Sequence, residues 1–302
     1  MTQSPPESQS PASNTPICLG AVGALCGESP VWDHRAGCLR WIDITAQRVH
    51  AYDPATETTT TLTLPYLVSS VLLEHGGGLL VTTARGLERL DLTTGQLEFL
   101  HNPEPDLPGN RLNDCKADPS GHLCAGTMSE GAKGPTGALY QYGSNGPERL
   151  VSGLTVSNGL GWSPDARHFY LVDSAKGEIN AFDRDPQSGA LSARRLLASY
   201  PLDQGKPDGL CVDQDGNLWV AFWDGARVEC LSPDGALRHV VPLPVRRPTS
   251  CCFGGPDLKR LYITSAAIGL DAPDLDGGLF ALDLDVAGLP TNEVRLGPLT
   301  DL

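Results

Sequence analysis

No run in this 302-residue chain approaches the roughly 18 consecutive apolar residues that a membrane-spanning helix needs, and helical periodicity is nearly absent. Basic residues are scarce: 22 Lys and Arg stand against 36 Asp and Glu, a formal net charge of −14 spread along the chain. That balance opposes binding to nucleic acid or to an anionic membrane surface. Among the nine cysteines there is no Cys-x-x-Cys pair, and the seven histidines show no ligand spacing. An odd cysteine count without a secretory signal reads as reduced thiols in a cytoplasmic protein, packed as small apolar side chains. Gly-x-Ser-x-Gly is missing as well, which argues against an α/β-hydrolase esterase. Residues 1–16 are rich in Ser, Pro, Gln and Thr, without a basic start or an apolar core, and are expected to be a flexible leader ahead of a single domain over 17–302.

What the chain does have is a repeat. Six segments share β-branched or aromatic residues: Leu39–Asp43, Gly78–Thr82, His122–Gly126, His168–Val172, Asn217–Ala221 and Arg260–Thr264. Their starts are 39, 44, 46, 49 and 43 residues apart. Most follow a turn rich in Asp, Pro and Gly, such as Asp118–Gly121 or Asp213–Gly216, and each precedes a second strand of alternating character, such as Arg48–Asp53 or Glu178–Asp183. A repeat of about 40 to 50 residues holding about four strands is a propeller blade. The predicted fold is therefore all-β, a six-bladed β-propeller with a central channel, closed by a strand over Ile17–Ala24 that joins the last blade. The repeated segments are taken as the innermost strands.

Polar residues recur at one place in this repeat. Glu28 lies 11 residues before the first segment, Asn113 lies 9 before the third, Asn158 lies 10 before the fourth and Asp208 lies 9 before the fifth. Ser69-Ser70 and Thr249-Ser250 hold the equivalent places in the second and sixth repeats. This puts two carboxylates and two amides at one mouth of a channel, where the carboxylates would repel each other unless a cation compensated them. All-oxygen donors suit Ca²⁺, Mg²⁺ or Mn²⁺, and Fe²⁺ also fits; Zn²⁺, which usually takes His or Cys, is the outlying case. Taken singly, Pro-Asp208-Gly and Ser-Asn158-Gly read equally well as turns, and Glu28 as a solvated acid at a strand end. Trp32, Trp162 and Trp219 fall in strand patterns and read as blade packing, with Trp223 the one tryptophan placed for a pocket rim.

The motifs Gly27-Glu-Ser-Pro-Val-Trp32, Arg111-Leu-Asn-Asp114 running to Ala125-Gly-Thr-Met128, Ser157-Asn-Gly159 with Trp162-Ser163, and Pro207-Asp-Gly209 running to Leu218–Ala221 resemble the senescence marker protein (regucalcin)/gluconolactonase/luciferin-regenerating enzyme family. Thr249–Gly255 is similar to its sixth blade, and the resemblance spans about residues 17 to 290. It implies a metal-dependent lactonase on a six-bladed propeller, with metal ligands at Glu28, Asn158 and Asp208 and substrate contacts at Arg111 and Asn113. The family's acidic substrate contact after Gly-Thr-Met falls on Gly131, so Glu130, one residue away, is the expected stand-in. Asp114 is left unassigned, as a supporting group, a turn former or a partner for Arg111.

The expected chemistry is hydrolysis of a sugar aldonolactone, a small-molecule substrate, with Asp208 as general base and the metal as Lewis acid. Arg111 would stabilise the developing oxyanion and Asn113 would bind sugar hydroxyls. The competing readings are a non-catalytic Ca²⁺-binding propeller and a promiscuous esterase or phosphotriesterase at the same metal. A monomer or weak dimer is expected, with no organic cofactor.

Overall fold

The computed structural model describes residues 15–143, 146–271 and 274–297; the expected leader lies outside them except for Thr15 and Pro16. The chain forms six four-stranded antiparallel sheets, each built from consecutive strands except the last. The first blade runs Gly27–Asp33, Cys38–Asp43, Arg48–Asp53 and Thr58–Thr63, and the pattern repeats from Val68–Leu73, Asn110–Ala117, Ser157–Trp162 and Lys206–Val212. The sixth blade takes Pro248–Gly254, Arg260–Ser265 and Leu279–Asp283 from the C-terminal side and Ile17–Gly20 from the N-terminal side, with Ile17 opposite Ala281. This is the closure expected, with a strand that stops at Gly20 where Ala24 was expected.

One expectation is overturned. The repeated segments are the second strands of their blades; the innermost are the strands before them, which touch one another around the axis. The inner strands carry little strand signal in the sequence because Gly-Glu-Ser-Pro, Ser-Asn-Gly and Pro-Asp-Gly are poor in strand formers.

Apolar packing lies between blades. Six buried clusters fill the six interfaces; one joins Trp32, Trp41 and Tyr52 of the first blade to Tyr262 and Leu279 of the sixth. Trp32, Trp162 and Trp219 are all buried in such clusters, as expected. Trp41 is 1% exposed, and burying about 200 Å² of it contributes roughly 5 kcal/mol as an upper bound.

The chain's last described segment seals the end opposite the mouth. Gly288 bridges to Asp213 of the fifth blade, and Val294 bridges to Glu74 of the second. Val294 N–H donates to Leu73 O (2.8 Å), Arg295 N–H to Gly121 O (2.7 Å) and Leu289 N–H to Val212 O (3.4 Å). Val294 is fully buried among Leu72, Leu112 and Cys115. Above this strap the channel holds an apolar cavity of about 150 Å³ lined by Val31, Val71, Leu160, Val212 and Phe253, with Lys116 beside them. No helix among the described residues is long and apolar enough to cross a membrane.

Candidate functional site

Each innermost strand carries one extra residue relative to its partner, at the same level in all six blades. The pairing breaks between Glu28 and Val31, Val68 and Ser70, Leu112 and Cys115, Ser157 and Leu160, Pro207 and Leu210, and Pro248 and Ser250. A bulge unpairs the local backbone and re-aims side chains. Asn113-Asp114, Asn158-Gly159 and Asp208-Gly209 are the bulged pairs of the third, fourth and fifth blades. Glu28 immediately precedes the first blade's bulge, where Ser29 takes a left-handed φ of 50°. The glycines that suggested turns have another reason to be there. A Cβ on Gly159 would lie 2.6 Å from Asp208 O, and one on Gly209 would run into the Ser250 side chain.

Hydroxyls from neighbouring blades satisfy the backbone that the bulges free. Ser29 Oγ accepts from Val71 N–H (3.0 Å); Ser70 Oγ accepts from Cys115 N–H (3.1 Å) and donates to Asn113 O (2.7 Å); Thr249 Oγ1 donates to Gly27 O. The Ser and Thr positions of the ring therefore join blade to blade. Two acids fasten the incoming chain: Asp43 accepts from Leu25 and Cys26 N–H, and Asp173 from Thr155 and Val156 N–H.

Glu28, Asn158 and Asp208 lie at one end of the channel, and each is left with an oxygen that makes no hydrogen bond among the described residues. Glu28 Oε2 accepts from Ser29 N–H (2.8 Å). Asn158 donates through Nδ2 to both Ser174 Oγ (3.1 Å) and Asp208 Oδ1. Asn158 and Asp208 are 7% and 5% exposed. Burial first, and then the charge of Asp114, push Glu28 up to about 8. Burial followed by the charges of Glu28 and Asp114 puts Asp208 well above the usual carboxylate range.

Asp114, which no spacing argument could assign, belongs to this group. It is buried, its Oδ2 has no hydrogen-bond partner among the described residues, and burial raises its own pKa. Lys116 reaches across the channel to donate to Leu160 O (3.0 Å) and Leu210 O, and its charge partly offsets Glu28 and Asp114. Asp114 has three open readings in the sequence and Lys116 none; the signal, visible only once the bulge is placed, is that both follow Asn113 on an innermost strand.

Arg111 donates to Asn113 Oδ1 (2.7 Å) and Leu112 O (2.9 Å), and among the described residues it makes no ion pair, with Asp114 or any other acid. Asn113 in turn donates to Ser157 O (2.9 Å), so its amide holds the guanidinium and is itself held. Glu130 stands apart from this ring: it is exposed, in the short 3₁₀ turn Glu130–Ala132, close enough for its charge to act on Arg111. Trp223 closes the fifth blade's second strand at the mouth, with the Arg247 guanidinium 4.8 Å from its ring.

The donors fit a hard divalent cation. Among the described residues no three His, Cys, Asp or Glu side chains gather as a metal cage; Glu28, Asp208 and Asn158 offer two carboxylates and an amide, oxygen throughout, with the Asp114 carboxylate near enough for its charge to act on both acids. Carboxylates that burial and mutual repulsion hold protonated would ionise on a bound cation.

A family model described as the SMP-30/Gluconolactonase/LRE-like region matches residues 26–267. Regucalcin from Oryctolagus cuniculus is 37% identical over 286 residues, covering 90% of this chain and 96% of that protein. A calcium-binding protein, regucalcin, from Agrobacterium tumefaciens superposes with a TM-score of 0.88 at 28% identity, covering 94% of this chain and 98% of that one. A gluconolactonase from Xanthomonas campestris superposes with a TM-score of 0.74 at 26% identity, covering 89% of each chain.

Proposed function

The chain belongs to the SMP-30/gluconolactonase/LRE-like family, and from that premise we propose that it is a divalent-metal-dependent hydrolase that opens a sugar lactone to its hydroxy acid. One observation carries the reading: the oxygen donors Glu28, Asn158 and Asp208 share a channel mouth with a guanidinium, Arg111, that is held by an amide and makes no ion pair among the described residues. A cation held by Glu28, Asn158 and Asp208 would supply Lewis-acid polarisation of the lactone carbonyl and acidify water.

The chain's own residues have distinct tasks. The Asp208 carboxylate, ionised once the cation is held, would take a proton from water attacking the lactone carbonyl. The carbonyl becomes a tetrahedral oxyanion, the bond to the ring oxygen breaks, and Asp208 returns the proton to the departing alkoxide. Arg111 donates to the oxyanion and, being partly desolvated, does so in a site of weak screening. Asn113 keeps one N–H for a sugar hydroxyl while orienting Arg111. Glu130, at the rim, would meet the far side of a substrate reaching out of the mouth. The nine free cysteines fit a reducing compartment such as the cytoplasm, and the chain would act there as a monomer or weak dimer.

The second reading, a binding propeller without catalysis, is favoured by the description of the Agrobacterium relative as calcium-binding. A binding protein needs the oxygen set but has no use for the Arg111–Asn113 pair. The test is acid release from a panel of aldonolactones, repeated after chelation and with Ca²⁺, Mn²⁺ or Mg²⁺ restored. Hydrolysis that stops on chelation and returns with one ion supports the enzyme; tight ion binding with no turnover on any lactone supports the binding protein.

A further inference from the structure

The orientation of Asn158 is set by a chain of hydrogen bonds that starts at a backbone carbonyl. Ser174 follows the second strand of the fourth blade, His168–Asp173, and is 7% exposed. Its Oγ lies 2.6 Å from Pro207 O, one residue before Asp208. A carbonyl oxygen can only accept, so the single hydroxyl proton of Ser174 is committed to Pro207. The hydroxyl can then only accept on its other side, where the Asn158 amide lies at 3.1 Å. Asn158 must present its NH₂ there, and the same NH₂ also meets Asp208 Oδ1. Its carbonyl oxygen is left facing the channel.

We propose that Ser174 is a positioning residue for the cation site: its hydroxyl fixes the Asn158 amide oxygen-inward and ties the strand that bears Asp208. Oxygen and nitrogen of an amide are nearly the same size, so packing alone does not choose between them. A flipped Asn158 would aim N–H groups at the cation. The inference rests on Asn158 being a ligand, as proposed above.

The test is the Ca²⁺ dissociation constant by calorimetry for the wild type, Ser174→Ala, Ser174→Thr and Asn158→Ala, with the thermal midpoint of each metal-free protein. Losing a group that orients a ligand typically weakens binding about 10- to 100-fold. Ser174→Ala is expected to fall in that range with a near-wild-type metal-free midpoint, and Ser174→Thr, which keeps the hydroxyl, to recover most of the affinity. Wild-type affinity in Ser174→Ala overturns the inference, as does a loss that Ser174→Thr shares in step with a lowered metal-free midpoint. If Asn158→Ala itself binds Ca²⁺ like the wild type, the ligand reading fails; if only Ser174→Ala does, the ligand reading stands and this inference alone falls.

Discussion

Cation binding at this mouth should release protons, and by a calculable amount. With Glu28 held at about 8 in the metal-free protein, only about 9% of it is ionised at pH 7 and about 91% at pH 9. The ion competes with that proton, so the apparent association constant should rise about tenfold between pH 7 and 9, and about tenfold again between pH 6 and 7, from Glu28 alone. Asp208 is raised by burial and by Glu28's charge, so the two titrate as a pair, and a second displaced proton would steepen the dependence. Calorimetry with Ca²⁺ at several pH values, in buffers of different ionisation heat, gives both the affinity and the protons released. The same pair affects stability in an unusual sense. Because the folded pKa lies above the ordinary 4.5, the metal-free protein holds this contribution fully at low pH and loses it as pH rises through about 8. Asp33 acts oppositely: burial would raise it, but hydrogen bonds from Arg35 and Arg40 hold it below its ordinary value, so its contribution is lost as pH falls. A Ca²⁺ affinity that is flat from pH 6 to 8, with no proton release, would refute the account of a mouth whose carboxylates are protonated until a cation arrives.

Three further outcomes are expected. Asp208→Asn keeps an oxygen but loses the proton acceptor, so turnover measured at saturating metal should fall about 10²–10⁴-fold; full turnover there would make Asp208 a ligand only. Arg111→Ala should leave Ca²⁺ affinity within a few-fold of the wild type while depressing kcat/KM on the best lactone; unchanged kcat/KM would place the substrate elsewhere. Val294→Ala removes buried contacts beneath the second and third blades and should cost about 2 kcal/mol in denaturant unfolding with Ca²⁺ affinity unchanged; a shift in affinity would mean that the strap and the mouth are coupled.

The blade count and the ring of polar positions were legible because both repeat, and repetition shows in one sequence without any comparison. The depth of each strand was not. Leu39–Asp43 and its counterparts are the better strand formers and so read as innermost, whereas the true inner strands are interrupted by the residues that bulge. The role of Asp114 stayed open, and Lys116 and Ser174 gave no signal, for a different reason. Their importance comes from a lone carboxylate oxygen, an amine spanning the channel and the direction of one hydroxyl proton, all of which join residues from separate blades. The C-terminal strap escaped because Ala287–Leu296 is held by backbone bonds to four blades, and such bonds leave little trace in side-chain pattern.

The sixfold bulge has a consequence for how such a molecule can change. Because every blade carries the same irregularity at the same height, the same position can carry a hydroxyl that ties one blade to the next, as at Ser70, or an amide or acid at the mouth, as at Asn158 and Asp208, while the apolar packing between blades lies in other residues. Chemistry and architecture are thereby written on separate letters of the sequence. Exchanging an amide or acid such as Asn158 or Asp208 alters charge, donor count or reach at the mouth without asking the six apolar seams to repack, whereas the hydroxyls and glycines beside them hold blade to blade. A scaffold with that division of labour can be retuned one position at a time, each intermediate still folded.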